Sequence, residues 1–202
     1  MLALLISAAV QVAGCDPAAG FDTVSAHLEA LREADQADRR EGFGPHVAER
    51  DRERLSVAKA YVEAGCLETG RDHHNVALLH QHGREPDDYR DAWFHAVRAV
   101  ELGDADAAWL IPRAIDRYFM RLGYKQLYAT NSRGERREEG EGFVMCLWPS
   151  AEAVTEAERE ALGVRTIEAQ LARIAEANGE EEGRICGTDA QDPPRGVFDG
   201  YW

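Results

Sequence analysis

The sequence predicts a mainly α fold, a helical bundle of about six or seven helices with one small β-hairpin. Apolar residues recur at three- and four-residue spacing along most of the 202-residue chain. Glycine or proline interrupts this pattern repeatedly, as expected where helices end. Only two short stretches are instead rich in β-branched and aromatic residues, and they predict the hairpin. With 45% hydrophobic residues, the chain can bury a substantial core.

The first predicted helix carries an apolar stripe that runs into charged residues. The stripe consists of Phe21, Val24, Leu28 and Leu31. Asp35 is the next position on that face, and Arg39 lies one turn later. A second helix is predicted over about 46–64, with Gly65 as its end.

The third and fourth predicted helices are marked by their terminal residues. Asp72 is a plausible N-cap for a short helix that Gly83 closes. Pro86 suits the first turn of the next helix, which ends at Gly103.

The segment 104–122 is apolar on nearly every side. A helix of this kind belongs at the centre of a bundle. Because Pro112 lies inside it, we expect a kink, or a short helix followed by a restart at that residue.

The hairpin is predicted near 125–148, with strands over 125–130 and 143–148. A capping box of Thr155 and Glu158 then starts another helix. A last helix ends before Gly179, which completes a helical domain over 16–178. The acidic and proline-containing composition of the segment 179–202 predicts a flexible tail.

The N-terminal segment 1–15 has the character of an export signal. It is apolar except for Ser7 and Gln11, and it is too short to span a bilayer as a mature helix. Residues 12–15 resemble the lipobox of bacterial lipoproteins. That resemblance implies a lipid on Cys15 and a membrane-anchored protein outside the cytoplasm, in the periplasm or cell envelope. No Lys or Arg precedes the apolar run, so the alternatives are a buried N-terminal helix and an export signal whose true start was misassigned.

The net charge of −14 argues against a nucleic-acid partner, because phosphate binding needs clustered Lys and Arg. The alternating charges of 50–54 predict a solvated helix face. After Cys15, the three remaining cysteines allow one disulfide and one free thiol. A Cys146–Cys186 bridge that ties down the tail is one possibility.

Four clusters of polar residues stand where packing alone would favour apolar ones. Buried polar groups cost free energy unless they are paired, so the clusters predict one shared polar site. The clusters are Asp35 with Gln36 and Arg39; Gln81 with His82; Asp116 with Arg117; and Gln126 with Tyr128 and Thr130.

His82 is the candidate catalytic residue of this site. A histidine beside a carboxylate is the usual construction of a general base, and either Asp35 or Asp116 offers that carboxylate. Arg39 or Arg117 would stabilise an anion. The alternatives are a hydrogen-bonded core histidine and a simple ion pair between Asp35 and Arg39.

The histidines do not predict a metal site. His80 and His82 diverge by about two hundred degrees on a helix, so they cannot chelate one ion together. His73 and His80 share a face, but no carboxylate lies at a matching offset between them. No cofactor is predicted, because phosphate-binding and dinucleotide-binding glycine motifs are absent from the sequence.

The order and spacing of the clusters resemble domain-of-unknown-function family 6624, a bacterial group of mostly helical proteins. The resemblance covers about 35–174 and implies a polar site without naming its chemistry. The sequence departs from the family pattern at Ala129, where the pattern has Gly, and at Asn131, where it has Gln. The matching positions are Asp35-Gln36 with Arg39, Gln81-His82, Asp116-Arg117, 126–130, and Arg159 with Leu162-Gly163.

Three functional hypotheses remain at this point. The first is a module that binds an unknown small molecule or protein in the polar pocket. The second is an enzyme of hydrolase or lyase type with His82 as general base. The third is a purely structural network that specifies the fold. An open cleft beside His82 favours the first two hypotheses, whereas a sealed and fully paired network favours the third.

Overall fold

The computed structural model describes residues 15–42, 44, 46–137 and 142–194, and within these ranges the mainly α bundle with one small hairpin is confirmed. The predicted segment 1–14 and the last residues of the predicted tail, 195–202, lie outside the described residues. The α-helices are α1 (Val24–Glu41), α2 (Val47–Glu63), α3 (Gly70–Gln81), α4 (Pro86–Glu101), α5 (Leu110–Arg121), α6 (Glu156–Ala161) and α7 (Ile167–Asn178). The hairpin consists of β1 (Ser132–Arg136) and β2 (Phe143–Leu147).

The helix at the centre of the bundle is α3, which packs against α1, α2, α4 and α5. The prediction that the segment 104–122 is central was wrong. That segment packs against α4 and α3, while Trp109 and Leu122 are 41% and 44% exposed. The composition of α3 does not predict a central position, because its buried side chains include the polar residues His74, Asn75 and His80.

The helix starts follow capping rules, with one change from the sequence prediction. The N-cap of α3 is Thr69, and Asp72 is the third helical residue, whose carboxylate accepts from the Thr69 backbone N–H at 2.9 Å. The two residues therefore form a capping box. The capping box of Thr155 and Glu158 at the start of α6 is confirmed.

The proline-containing segment consists of a 3₁₀ turn over Ala105–Ala107 followed by α5. The predicted restart is confirmed, although α5 begins at Leu110, two residues before Pro112. Pro112 thus lies in the first turn of the helix, where a missing backbone N–H removes no intrahelical hydrogen bond.

The hairpin begins later in the chain than predicted. Its first strand is β1, so the prediction of a strand over 125–130 was wrong, while β2 matches the second predicted strand within one residue. The strands are antiparallel, with Gly134 opposite Met145. Residues 126–131 instead form a loop whose backbone groups hydrogen-bond to the side chains of Asp116 and Gln126.

Two disulfides link the described cysteines. Cys15 is bonded to Cys66 after α2, and Cys146 of β2 is bonded to Cys186. The second bridge holds the described part of the predicted tail against the hairpin. The tail also forms backbone bridges there, between Ile185 and Leu147 and between Gln191 and Tyr124. Within the described ranges, none of the helices is both long and apolar enough to cross a membrane.

Gly70 sets how closely the start of α3 approaches the end of α4. A Cβ at this position would lie 2.8 Å from the Ala99 carbonyl oxygen, which is a backbone atom that cannot turn away. We expect Gly70→Ala to lower the free energy of unfolding by about 1–2 kcal/mol, because the clash outweighs the better helix propensity of Ala. Urea denaturation followed by circular dichroism measures the change.

The matched control is Gly187→Ala, because nothing lies within 4 Å of a Cβ at that position. Its effect should stay within about 0.5 kcal/mol. Equal stability of the two variants would mean that α3 and α4 can separate at no cost.

Candidate functional site

His82 and Asp35 form the centre of the candidate site. His82 follows the last residue of α3, and Asp35 lies on the buried face of α1. His82 Nδ1 is 2.9 Å from Asp35 Oδ1, so this ring nitrogen carries the proton and donates it to the carboxylate. Gln36 donates to the other Asp35 oxygen at 2.8 Å. The contact confirms that Asp35, the next position after the apolar stripe of α1, points inward.

Arg39 occupies the second nitrogen of the His82 ring. Its Nε–H donates to His82 Nε2 at 3.1 Å, and its terminal nitrogens contact Asp35 Oδ1 at 2.9 Å and Asp51 Oδ2 at 3.1 Å. The ion pair of Asp35 and Arg39 within α1 therefore exists, but it belongs to a larger network. Both ring nitrogens of His82 are engaged, which fixes the neutral Nδ1–H form of the ring.

Asp51 and Arg54 of α2 belong to this network, although the sequence did not single them out. The prediction of a solvated face over 50–54 was wrong for Arg54, which is only 7% exposed and bonds Asp51 at 2.7 Å and Asp38 at 2.8 Å. The three-residue spacing of Asp51 and Arg54 on one helix face was the available signal. The arginines of α1 and α2 thus surround the buried Asp35 carboxylate, with Arg54 Nε 4.0 Å from it.

Burial and neighbouring charges have opposing effects on the pKa values of Asp35 and His82. Burial acts to raise the pKa of Asp35, but the hydrogen bonds from His82 and Gln36 and the positive charge of Arg39 outweigh it and lower the pKa. Burial lowers the pKa of His82, and the charge of Arg39 acts in the same direction, against the Asp35 carboxylate. The network therefore pairs an ionised acid with a neutral imidazole near neutral pH.

A cleft of about 510 Å³ reaches His82 between α2 and the turn that joins α3 to α4. The side chain of His82 is 15% exposed, whereas that of Asp35 is 1% exposed. Charged groups of both signs line the cleft. They are Asp51, Arg52, Lys59, Glu63, Arg84, Glu85 and Asp88.

Asp116 belongs to a second, sealed network. It is fully buried, and its carboxylate accepts backbone N–H groups from Leu127, Tyr128 and Thr130 at 2.7–2.9 Å and the Thr130 hydroxyl at 2.7 Å. Burial raises the pKa of Asp116, and these hydrogen bonds oppose the rise. The prediction that Asp116 can orient His82 was wrong, because the loop fills its acceptor positions. Tyr128 contributes its main-chain N–H to this carboxylate.

The loop 126–131 is fixed by further buried side chains. Gln126 accepts from the Asn131 backbone N–H at 2.9 Å and donates to the Asn131 and Trp148 carbonyls. Arg159, which is 1% exposed, donates to the Leu127 carbonyl at 2.9 Å. Ala129 has a φ of 54°, a left-handed conformation that costs a non-glycine residue roughly 1–2 kcal/mol.

Arg117 lies between the two networks. It donates to the Gln81 carbonyl at the end of α3 and to Asn131 Oδ1 in the loop. Within the described ranges, no carboxylate lies within ion-pairing distance of its guanidinium, and burial lowers its pKa. Its position places positive charge at the C-terminus of α3, where the helix dipole favours it.

The predicted single polar site is therefore divided. Asp35, Gln36, Arg39 and His82 are brought together beside the cleft, whereas Asp116, Gln126 and Thr130 stabilise a loop. Gln81 lies next to His82 and is 3% exposed, but its amide oxygen has no hydrogen-bond partner among the described residues. Asp35 and His82 have the acid–imidazole arrangement of a general base. The lone pair of His82 Nε2, which would accept the proton, instead accepts a hydrogen bond from Arg39.

The described residues also place Glu135 within metal-binding distance of Cys146 and Cys186. The two sulfurs are joined in a disulfide, so neither is available as a thiolate ligand. This group is consequently not a candidate metal site.

Comparison with protein-family models, curated proteins and solved structures finds no match to this chain. The resemblance to domain-of-unknown-function family 6624 therefore stays a prediction. The function proposed below therefore rests on the geometry of the polar networks.

Removal of the two charged partners of His82 should move its pKa in opposite directions. Asp35→Asn should lower the pKa, because the carboxylate favours the imidazolium. Arg39→Gln should raise it, because the guanidinium disfavours the imidazolium. NMR titration of the assigned imidazole resonances measures both changes.

His27 is the internal reference for this titration. Its pKa is lowered by burial alone, and its ring bonds the Tyr61 hydroxyl at 2.7 Å. The His27 resonance should titrate identically in all three proteins. Shifts of His82 in the same direction in both variants would contradict the hydrogen-bond assignments.

Proposed function

We propose that this protein is a binding module for a small polar ligand, which occupies the cleft beside His82. The observation that carries the proposal is that His82, fixed by Asp35 on one nitrogen and Arg39 on the other, lines an open cleft of about 510 Å³. A network that served only to specify the fold has no need of such access. The volume lies within the range of small-molecule sites.

The lining of the cleft favours a ligand with both donor and acceptor groups. Lys59 and Asp88 line the cleft and bond each other at 2.6 Å, whereas Arg52 and Arg84 have no carboxylate within ion-pairing distance among the described residues. Charges of both signs in one cleft suit a zwitterionic or strongly hydrogen-bonding molecule.

The second candidate is a hydrolase or lyase in which His82 acts as general base. The specific observation in its favour is the 2.9 Å contact of His82 Nδ1 with a buried carboxylate, which orients the ring. His82 Nε2 already accepts the Nε–H of Arg39, so Arg39 must move before this nitrogen can take a proton. For this reason binding is the first proposal and catalysis the second.

We also propose an extracytoplasmic location. The two disulfides support it, because such bonds form and persist in oxidising compartments. The predicted lipid on Cys15 would attach to the sulfur that bonds Cys66. The two fates of that sulfur exclude each other, so a lipid anchor on Cys15 requires that Cys15 is not bonded to Cys66.

Filling the cleft should abolish binding without loss of stability. Ser56 is an exposed residue of α2 that lines the cleft and takes no part in the hydrogen bonds of His82 and Asp35 described above. We expect Ser56→Trp to keep the melting temperature of the wild type and to lose the thermal shift produced by any compound found in a library of small polar metabolites. Differential scanning fluorimetry with and without the compounds measures both.

Two variants serve as controls. Ser25→Trp makes the same change on an exposed position of α1 outside the cleft and should keep the thermal shift. Asp116→Asn disrupts the sealed loop network, so it should lower the melting temperature but keep the shift. A shift that survives in Ser56→Trp would contradict binding in the cleft. For the enzymatic candidate, turnover of the identified compound should vanish in His82→Ala.

Mass spectrometry of the mature exported protein distinguishes the two fates of Cys15. A non-reducing digest should contain a peptide pair joined through Cys15 and Cys66. A diacylglyceryl group on Cys15 together with a free Cys66 thiol would show the anchored form instead. Free thiols at Cys146 and Cys186 would contradict an oxidising location.

A further inference from the structure

A second pocket, of about 180 Å³, lies between the hairpin and α7. The α7 residues that line it are spaced i, i+3, i+4 and i+7, so they share one face of the helix. They are Gln170, Arg173, Ile174 and Ala177. Among the residues that the structure describes, none lines both this pocket and the cleft beside His82, so the two are separate cavities.

The position of α7 on the hairpin is fixed by contacts with β2. The Asn178 side chain accepts from the Met145 backbone N–H at 2.8 Å and donates to the Met145 carbonyl at 2.8 Å. Ile174 and Leu147 also pack with Ala129 in one apolar cluster. The pocket is therefore formed before any ligand binds, as is usual for small-molecule sites.

The side-chain amide of Gln170 has unused hydrogen-bonding capacity in this pocket. Gln170 is 9% exposed, and its amide has no hydrogen-bond partner among the described residues. The Thr130 hydroxyl, which also lines the pocket, instead donates to Asp116 at 2.7 Å. An amide that is largely removed from water and left unpaired costs free energy, which a ligand that accepts its N–H would recover.

Arg173 brings positive charge to the pocket, and two further arginines lie nearby. Burial lowers the pKa of Arg113 on α5, and the charges of Arg165 and Arg173 act in the same direction. The Asp116 carboxylate opposes them, but the loop already fills its acceptor positions. None of the three arginines has a carboxylate within ion-pairing distance in the described part of the chain. In a chain of net charge −14, such a group of arginines favours an anionic ligand.

The size and the lining of the pocket limit the kind of anion. A cavity of about 150 Å³ can hold benzene, so the 180 Å³ of this pocket suits a ligand of about six non-hydrogen atoms. Met145, Leu147 and Ile174 form an apolar wall. An inorganic anion would lose hydration against this wall without a compensating contact. A short aliphatic chain covers the wall and places a terminal carboxylate beside Arg173.

We propose that the pocket between the hairpin and α7 binds a short-chain aliphatic carboxylate. The chain of the ligand contacts Leu147 and Ile174. Its carboxylate pairs with Arg173 and accepts a hydrogen bond from the Gln170 amide, as charge-assisted recognition of a carboxylate requires. This site does not depend on the ligand proposed for the cleft, so either proposal can fail without the other.

NMR titration of the full chain with sodium butyrate, at an ionic strength held constant with sodium chloride, tests the proposal. The methyl resonances of Leu147 and Ile174 should shift along one saturable curve. n-Butylammonium has the same aliphatic chain and the opposite charge, so it should cause no saturable shift. Absence of saturable shifts with butyrate, or equal shifts with n-butylammonium, would overturn the proposal. Neither measurement needs a variant to fold.

Arg173→Gln removes the charge from an exposed position of α7 and should weaken butyrate binding by about ten-fold. The matched control is Arg136→Gln, which makes the same change at an exposed position of β1 outside the pocket lining. It should bind butyrate as the wild type does. Equal affinities of the two variants would overturn the pairing with Arg173. Shifts confined to residues of the cleft would show that the carboxylate binds there and would overturn the second site.

Discussion

The constraint on which the rest of the fold depends is the burial of a polar helix. α3 is surrounded by four helices, yet many of its buried side chains carry nitrogen or oxygen atoms that need partners. Each partner comes from a different direction. Asn75 bonds Glu29 of α1, His74 bonds Asp104 beyond α4, and the Gln81 carbonyl accepts from Arg117 of α5. The polar groups of α3 thus specify which helix lies on which side.

The two polar networks at the end of α3 differ in what surrounds them. The Asp116 carboxylate is enclosed by backbone donors of one loop, which is an arrangement that fixes a chain path. The Asp35 carboxylate is held by side chains of other residues, and its imidazole partner borders a cleft. Both acids are buried, so burial alone does not distinguish a structural group from a functional one. What distinguishes them is that His82, the partner of Asp35, lines a cleft, whereas the partners of Asp116 belong to a buried loop.

The sequence predicted the helices well because periodicity, caps and glycine stops are local properties. The apolar stripe of α1 also predicted that Asp35 points inward, and the capping box predicted the start of α6. Contacts between distant segments were not predictable in the same way. The residues around 126 contain β-formers, but Asp116 and Gln126 hold them as a loop. Asp51 and Arg54 resemble surface residues until α1 is known to lie against them.

The two disulfides have a consequence for how the chain reaches this fold. Four cysteines permit three pairings, and the observed one joins the first cysteine to the second and the third to the fourth. The covalent loops follow each other along the chain and neither encloses the other. A chain that emerges N-terminus first presents Cys15 and Cys66 before Cys146 exists as a competitor. Each bond can therefore form from the earliest available pair, without later isomerisation by a disulfide-exchange catalyst.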